Sequence, residues 1–200
     1  MVGVVLVPGL LAAGIGSLVS VGLTDITGWG TFSLAIPDIP PFEKVETYEF
    51  LWAIAIGLLA AAVGTAIKRA AQRLEPVVAR RRILLSPAIG ALVAVTAIAF
   101  AELTDKGADQ VLFSGESALP SLLQDAGQWS VGALVLLIVA KGLAYCLSLA
   151  TFRGGPTFPA MMIGAAGGMA VSHVGDLPMI AGAAMGIGAM AVTMLRLPLT

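Results

Sequence analysis

Four stretches of this chain stay apolar long enough to cross a lipid bilayer as helices: Val2–Leu23, Phe50–Ile67, Ile83–Ala101 and Trp129–Phe152. About 20 apolar residues, at roughly 1.5 Å each, cover the ~30 Å hydrocarbon core. Lipid offers no hydrogen bonds, so a crossing backbone must satisfy its own N–H and C=O groups, as a helix does. Two further apolar runs behave differently. Ala160–Val174 gives only roughly 22 Å of helix, too short to cross, and Leu177–Leu195 follows after the Gly175-Asp176 break. The short run opens on Arg153-Gly154-Gly155-Pro156-Thr157-Phe158-Pro159. Two glycines let the backbone turn, and each proline presets φ near its helical value, so a helix is predicted to begin near Pro156. Its N-terminus then lies between membrane-grade segments. The plain reading of that turn is a connection between two helices. The functional one is an anion site, because a helix N-terminus presents unpaired N–H groups and a partial positive charge.

Composition supports the class: 58% of residues are hydrophobic and 12% charged, about half the charge of soluble domains. The fold class expected is all-α, a polytopic membrane protein mixing full spans with short broken helices, as one transmembrane domain over 1–200 with no soluble domain. Such a mixture points to a channel or secondary transporter, since irregular backbone at membrane depth persists only where it is buried or lines a polar cavity. A non-transporting membrane subunit is the other reading. One cysteine, Cys146, and one histidine, His173, leave almost no material for metal or triad chemistry. No cofactor, metal site or catalytic residue is therefore expected. An intramembrane enzyme would need clustered His, Asp or Ser within the spans, so the protein is read as no enzyme.

The placement of charge sets the topology. Lys68, Arg69, Arg73, Arg80, Arg81 and Arg82 face a single Glu75, whereas Asp25, Asp38, Glu43, Glu46 and Glu49 dominate 24–49. Glu102, Asp105, Asp109, Glu116 and Asp125 dominate 102–129. Basic loops stay inside, so loop 68–82 is expected in the cytoplasm and loops 24–49 and 102–129 outside. The setting expected is the bacterial plasma membrane. Beside two spans the basic stretch reads as a neighbour of anionic lipid, with no nucleic-acid partner. A signal peptide is the rival for Val2–Leu23, but no basic residue precedes it. That apolar start directly after Met1 suggests a preceding segment.

Lys141 through Gly168 resembles the ClC family of chloride channels and chloride–proton antiporters: a long helix, a Gly-Gly-x-Phe-x-Pro turn, then a small-residue-rich helix. Gly188-Ala189-Met190 to Arg196-Leu197-Pro198-Leu199-Thr200 is similar to the family's Gly-Ala…Arg-x-Pro-Leu-Thr segment. The resemblance implies transport of chloride or a similar small anion, as channel or antiporter, and a homodimer formed through Val4–Leu23. It covers about half of a typical member. The family's serine-bearing turn, gating glutamate and pore tyrosine find no match here, so channel and antiporter both stay open and a partial chain, inactive alone, is expected. The implied anion-binding positions are Gly155, Pro156, Thr157 and Phe158. Two departures stand out: Pro156 lacks an N–H that the family uses, and Thr157 stands where phenylalanine is expected.

Other polar residues each have two readings. Lys141, in mid-span, is a vestibule charge or a lysine paired with a helix-end carbonyl. Arg153 is a second vestibule charge or simple positive-inside placement. His173 reads as interfacial, and Cys146 as a small core residue. Gly164/Gly168 and Gly182/Gly186 have the spacing of close helix contacts. Trp29, Trp52 and Trp129 fall near span ends, as in an aromatic belt.

Overall fold

The computed structural model describes residues 2–28, 47–152, 154–175 and 177–195, and every regular element among them is helical. The chain separates into two compact units, Met1–Pro37 and Asp38–Thr200. The first holds helix α1, Val2–Thr27. The Thr27 hydroxyl donates to the Leu23 carbonyl at 2.6 Å. Gly28 follows at φ +68°, the left-handed conformation that ends many helices and that glycine adopts without steric penalty.

The second unit begins with α2, Thr47–Arg80, a helix of 34 residues and so about 51 Å long. Then come α3, Arg82–Thr104, the short α4, Ala118–Gln124, and α5, Val131–Thr151. The chain closes its described part with α6, Thr157–Ser172, and α7, Met179–Leu195. In this unit α2, α3 and α5 are each long and apolar enough to cross a membrane, while α6 and α7 are shorter apolar helices. Phe50, Leu51, Ile54 and Leu58 on α2, with Leu84, Leu92, Val95 and Ile98 on α3, are exposed. In water such a surface would be a liability; against lipid tails it is the expected outer face.

Lys68–Leu74, whose amphipathic pattern allows the second run to continue as helix, is helical, and the helix takes in most of the remaining expected loop 68–82 as well. Helix α2 runs on to Arg80, Arg81 alone breaks it, and Arg82 already belongs to α3. Lys, Arg, Ala, Gln and Leu are all strong helix formers, so the change in charge marks the membrane's edge rather than the end of the helix. The bounds of 24–49 contract likewise, because α1 continues through Thr27 and α2 begins at Thr47; residues 29–46, and Trp29 with them, lie outside the described residues.

The acidic stretch 102–129 is largely structured. Two 3₁₀ turns, Ala108–Gln110 and Ala126–Gln128, flank α4, whose Ala118, Leu119, Leu122 and Leu123 are buried. Trp129 consequently departs from the aromatic-belt expectation: it is only 3% exposed, with the Lys106 ammonium 5.0 Å from its ring centroid. Protein encloses that end of the span, and a cation over the ring replaces the headgroup. Trp52 is half-buried, and its indole fills the space beside Gly175.

The core joins α2, α5, α6 and α7 through Ala60, Ile67, Tyr145, Cys146, Ile163 and Met190. At its centre α6 and α7 run antiparallel in close contact. A Cβ on Gly164 would strike the Gly186 carbonyl, and one on Gly168 the Gly182 carbonyl. The four-residue spacing thus brings backbone against backbone, as small-residue pairs do in lipid.

Candidate functional site

Helix α5 leads directly into the turn. Ser130 caps its start, with the Ser130 hydroxyl accepting from the Ala133 N–H at 3.2 Å, and Phe152 ends it in extended conformation. Gly154 and Gly155 are exposed and non-helical. Pro156 is the N-cap of α6, and its φ −82°, ψ −12° are already helical. The first residues of a helix have no intrahelical acceptor for their N–H groups. Among 156–159 both prolines lack an N–H, so the open donors of this first turn are the amides of Thr157 and Phe158. Both residues are half-buried, and no acidic side chain lies in the first turn to occupy them. The helix dipole adds roughly half a positive charge at the same place.

One side chain holds this turn to α5. The Tyr145 hydroxyl donates to the Pro156 carbonyl at 3.1 Å. Tyr145 is 5% exposed, so the bond is made away from water and fixes where α6 begins relative to α5.

Beside the turn is a cavity of about 270 Å³, whose lining includes Phe113, Lys141, Tyr145, Ser148, Gly154 and Gly155. Lys141 is 1% exposed. Its ammonium donates to the carbonyls of Leu112 at 3.0 Å and Phe113 at 3.2 Å. Those carbonyls belong to a tight segment with Phe113 at φ +55° and Gly115 at φ +89°. A side chain at Gly115 would press on Lys141 Nζ and on Met162 of α6, both 3.3 Å from its Cβ.

Of the site residues expected from sequence, Lys141 and Gly155 line one cavity. Pro156, Thr157 and Phe158 sit at the adjoining start of α6, outside that lining, and Arg153 lies outside the described residues. Lys141 takes its carbonyl-bonded reading, with acceptors from a loop rather than from a helix end. Tyr145, Ser148 and residues 111–114 were not anticipated. A signal for two of them existed: 141, 145 and 148 repeat at i, i+4 and i+7, which places three polar side chains on one face of an apolar helix. Cys146 is buried, and His173 is exposed at the C-terminal end of α6. Among the described residues no three of His, Cys, Asp and Glu group closely enough to hold a metal ion.

The sequence pattern of the voltage-gated chloride channel family matches residues 3–200. The chain belongs to this family. No curated protein and no solved structure matches it. As a voltage-gated chloride channel family protein it is integral to the membrane, and its function is the transport of chloride or a similar small anion, as channel or as chloride–proton antiporter. Members of the family are transporters and channels, not enzymes. The open N–H groups of its α6 start suit an anion, since the energy needed is hydrogen bonding and field, not covalent chemistry.

Proposed function

We propose that the transported anion is held by the amides of Thr157 and Phe158 at the start of α6, with the Gly155 amide beside them and Pro156 shaping the turn. The observation that carries this reading is a helix start with two open N–H groups, no acidic residue in its first turn, and a tyrosine fixing it from α5. An anion there gains charge-assisted hydrogen bonds and the helix field together. The Thr157 hydroxyl is a third donor within the same residue. The test removes one donor while leaving every side chain in place. Exchanging the Phe158 amide for an ester, by incorporating the α-hydroxy acid in the full-length protein, deletes the N–H and keeps the ring. A hydrogen bond to a charged group contributes about 1.5–3 kcal/mol, so half-saturating chloride in liposome flux should rise about 10- to 100-fold. Unchanged affinity and anion selectivity in both the Thr157 and the Phe158 ester would overturn the assignment.

The basic stretch 68–82, where α2 passes into α3, is taken as cytoplasmic, and 24–49 and 102–129 as external, in a bacterial plasma membrane. Support comes from α3, which crosses from Arg82 to an acidic end at Glu102 and Asp105, as positive-inside placement requires. The same reading includes a homodimer through Val4–Leu23, where Leu11, Ile15 and Leu18 share one helix face. Cysteines placed at Arg81 should react only with reagent on the cytoplasmic side. Cysteines along Leu11–Leu18 of the full-length protein should give a covalent dimer. Labelling from outside, or monomers alone, would remove the respective claim.

A further inference from the structure

One stripe of α2 changes character along its length without changing direction. Leu51, Leu58, Ala62, Arg69, Arg73 and Arg80 follow one another at intervals of 7, 4, 7, 4 and 7 residues. At about 100° per residue they fall within about 60° of one another round the helix, and all are exposed. The buried residues Ile56, Ala60, Gly64, Ile67, Ala71 and Val78 centre on the opposite face, so the stripe points away from the bundle. Its first half is apolar surface suited to lipid tails. Its second half carries three arginines whose side chains make no hydrogen bond or ion pair with the described residues. Glu75, the single acid of the stretch, lies about 120° or more away round the helix. Arg69 follows Leu51 by about 27 Å, close to the thickness of the hydrocarbon core, which sets its guanidinium among the headgroups. Arg82 begins α3, a helix of 23 residues that needs about 20 to cross, so the tip of the hairpin lies at the same boundary. The stretch from Arg69 to Arg80 therefore runs along the membrane surface rather than away from it. Leu74 and Val77 stay 37% and 57% exposed within it, as suits a helix lying in the interface.

We infer that the outer face of α2 at Arg69, Arg73 and Arg80 is a docking surface for an anionic phospholipid of the cytoplasmic leaflet, the guanidinium groups holding the phosphodiester of its headgroup. Arginine suits the task, because its planar fork meets two phosphate oxygens at once while its apolar stem lies against the acyl region. Positive-inside placement accounts for basic residues anywhere in 68–82. It does not account for their alignment with the lipid-facing stripe. Lys68, on another face of the same turn, donates to the Thr193 carbonyl near the end of α7 at 2.6 Å. A bound lipid thus steadies the turn of α2 that grips α7, and α7 packs on α6 through the glycine seam. The choice of leaflet rests on the reading of 68–82 as cytoplasmic; the stripe and its charge do not.

Full-length protein purified in a nonionic detergent and titrated with phosphatidylglycerol, or with phosphatidylcholine of the same acyl chains, tests the surface by native mass spectrometry and melting temperature. Phosphatidylglycerol should stay bound and raise the melting temperature, with a preference over phosphatidylcholine of at least about tenfold. Arg69→Gln/Arg73→Gln should remove that preference and leave the lipid-free melting temperature unchanged, because neither side chain has a partner to lose. Arg81→Gln/Arg82→Gln removes the same charge off the stripe and should retain the preference. Inorganic phosphate and soluble glycerophosphoglycerol at equal concentration should give neither adduct nor shift. Equal binding of the two lipids, a preference that survives Arg69→Gln/Arg73→Gln, equal loss in both double variants, or replacement of the lipid by soluble phosphate would overturn the docking surface. Micelles leave both ends of the protein accessible, so none of these readouts depends on sidedness. A cysteine at Arg81 that labels from outside overturns the choice of leaflet alone.

Discussion

Gly168→Leu is expected to leave no folded protein, and Gly168→Ala to unfold the chain at markedly lower temperature. A Cβ at Gly168 falls on the Gly182 carbonyl, which belongs to backbone and cannot rotate away. The reciprocal contact is equally tight: a Cβ on Gly182 would meet the Gly168 carbonyl oxygen at 2.6 Å and the Ser172 hydroxyl beside it. Either substitution forces α6 and α7 apart along the seam that Gly164 and Gly186 continue. In lipid the helices gain little from hydrophobic burial, so association depends on this close packing and on weak Cα–H···O contacts. An overpacking substitution in a fitted interface typically costs about 1–3 kcal/mol and occasionally more, and leucine adds far more volume here than alanine. Neighbouring glycines supply the controls. Gly167 is one residue away, yet its Cβ would meet only Ile138 at 3.9 Å, and Gly57 would meet nothing within 4 Å. Alanine at either is expected to be neutral or stabilising by up to about 1 kcal/mol through reduced backbone entropy. Thermal unfolding in detergent, read beside size-exclusion profiles, separates the cases. A Gly168→Leu protein that melts like the parent would refute the account of the seam.

How far these features were legible depended on whether their partners lie nearby in the chain. The Gly/Pro turn, the helix start beside Pro156 and the short α6 were readable because each follows from residues within one helical turn. The glycine seam was readable because a four-residue spacing predicts a face, although not which helix would meet it. The basic end of α2 was legible as far as Leu74, because an amphipathic pattern continues the helix there; from Glu75 on, charge gave no sign of where the helix stops, which propensity decides. Trp129 misled because 102–129 reads as an acidic loop with one short apolar piece, Ala118–Leu123, and nothing local shows that this loop folds over the end of a span. The acceptors of Lys141 were not legible at all. They lie 28 and 29 residues upstream, and a carbonyl leaves no mark in a sequence; only Gly115, required at φ +89° against Lys141 and Met162, hinted at a constrained segment. The stripe formed by Lys141, Tyr145 and Ser148 was in view and went unused.

Pro156→Ala is expected to raise anion affinity about 10- to 100-fold. Proline at this position removes the donor that the family resemblance places there, and alanine returns it. The backbone at 156 is already at φ −82°, ψ −12°, so a restored N–H points along the α6 axis with those of Thr157 and Phe158. A third charge-assisted bond is worth about 1.5–3 kcal/mol, or about one to two decades in affinity. The opposing effect is smaller: losing a proline that fits its conformation costs about 0.4–1 kcal/mol of stability through the unfolded chain, and alanine retains the carbonyl that Tyr145 grips at 3.1 Å. Stability should therefore fall slightly while half-saturating chloride falls steeply, a divergence that a purely structural role for Pro156 does not produce. Throughput need not rise with affinity, because an anion held more tightly leaves more slowly. The decisive measurement is chloride dependence of flux in liposomes containing the full-length protein, with melting temperature followed in parallel. Unchanged or weaker chloride binding in a folded Pro156→Ala protein would mean that the N–H groups at the start of α6 do not face the anion.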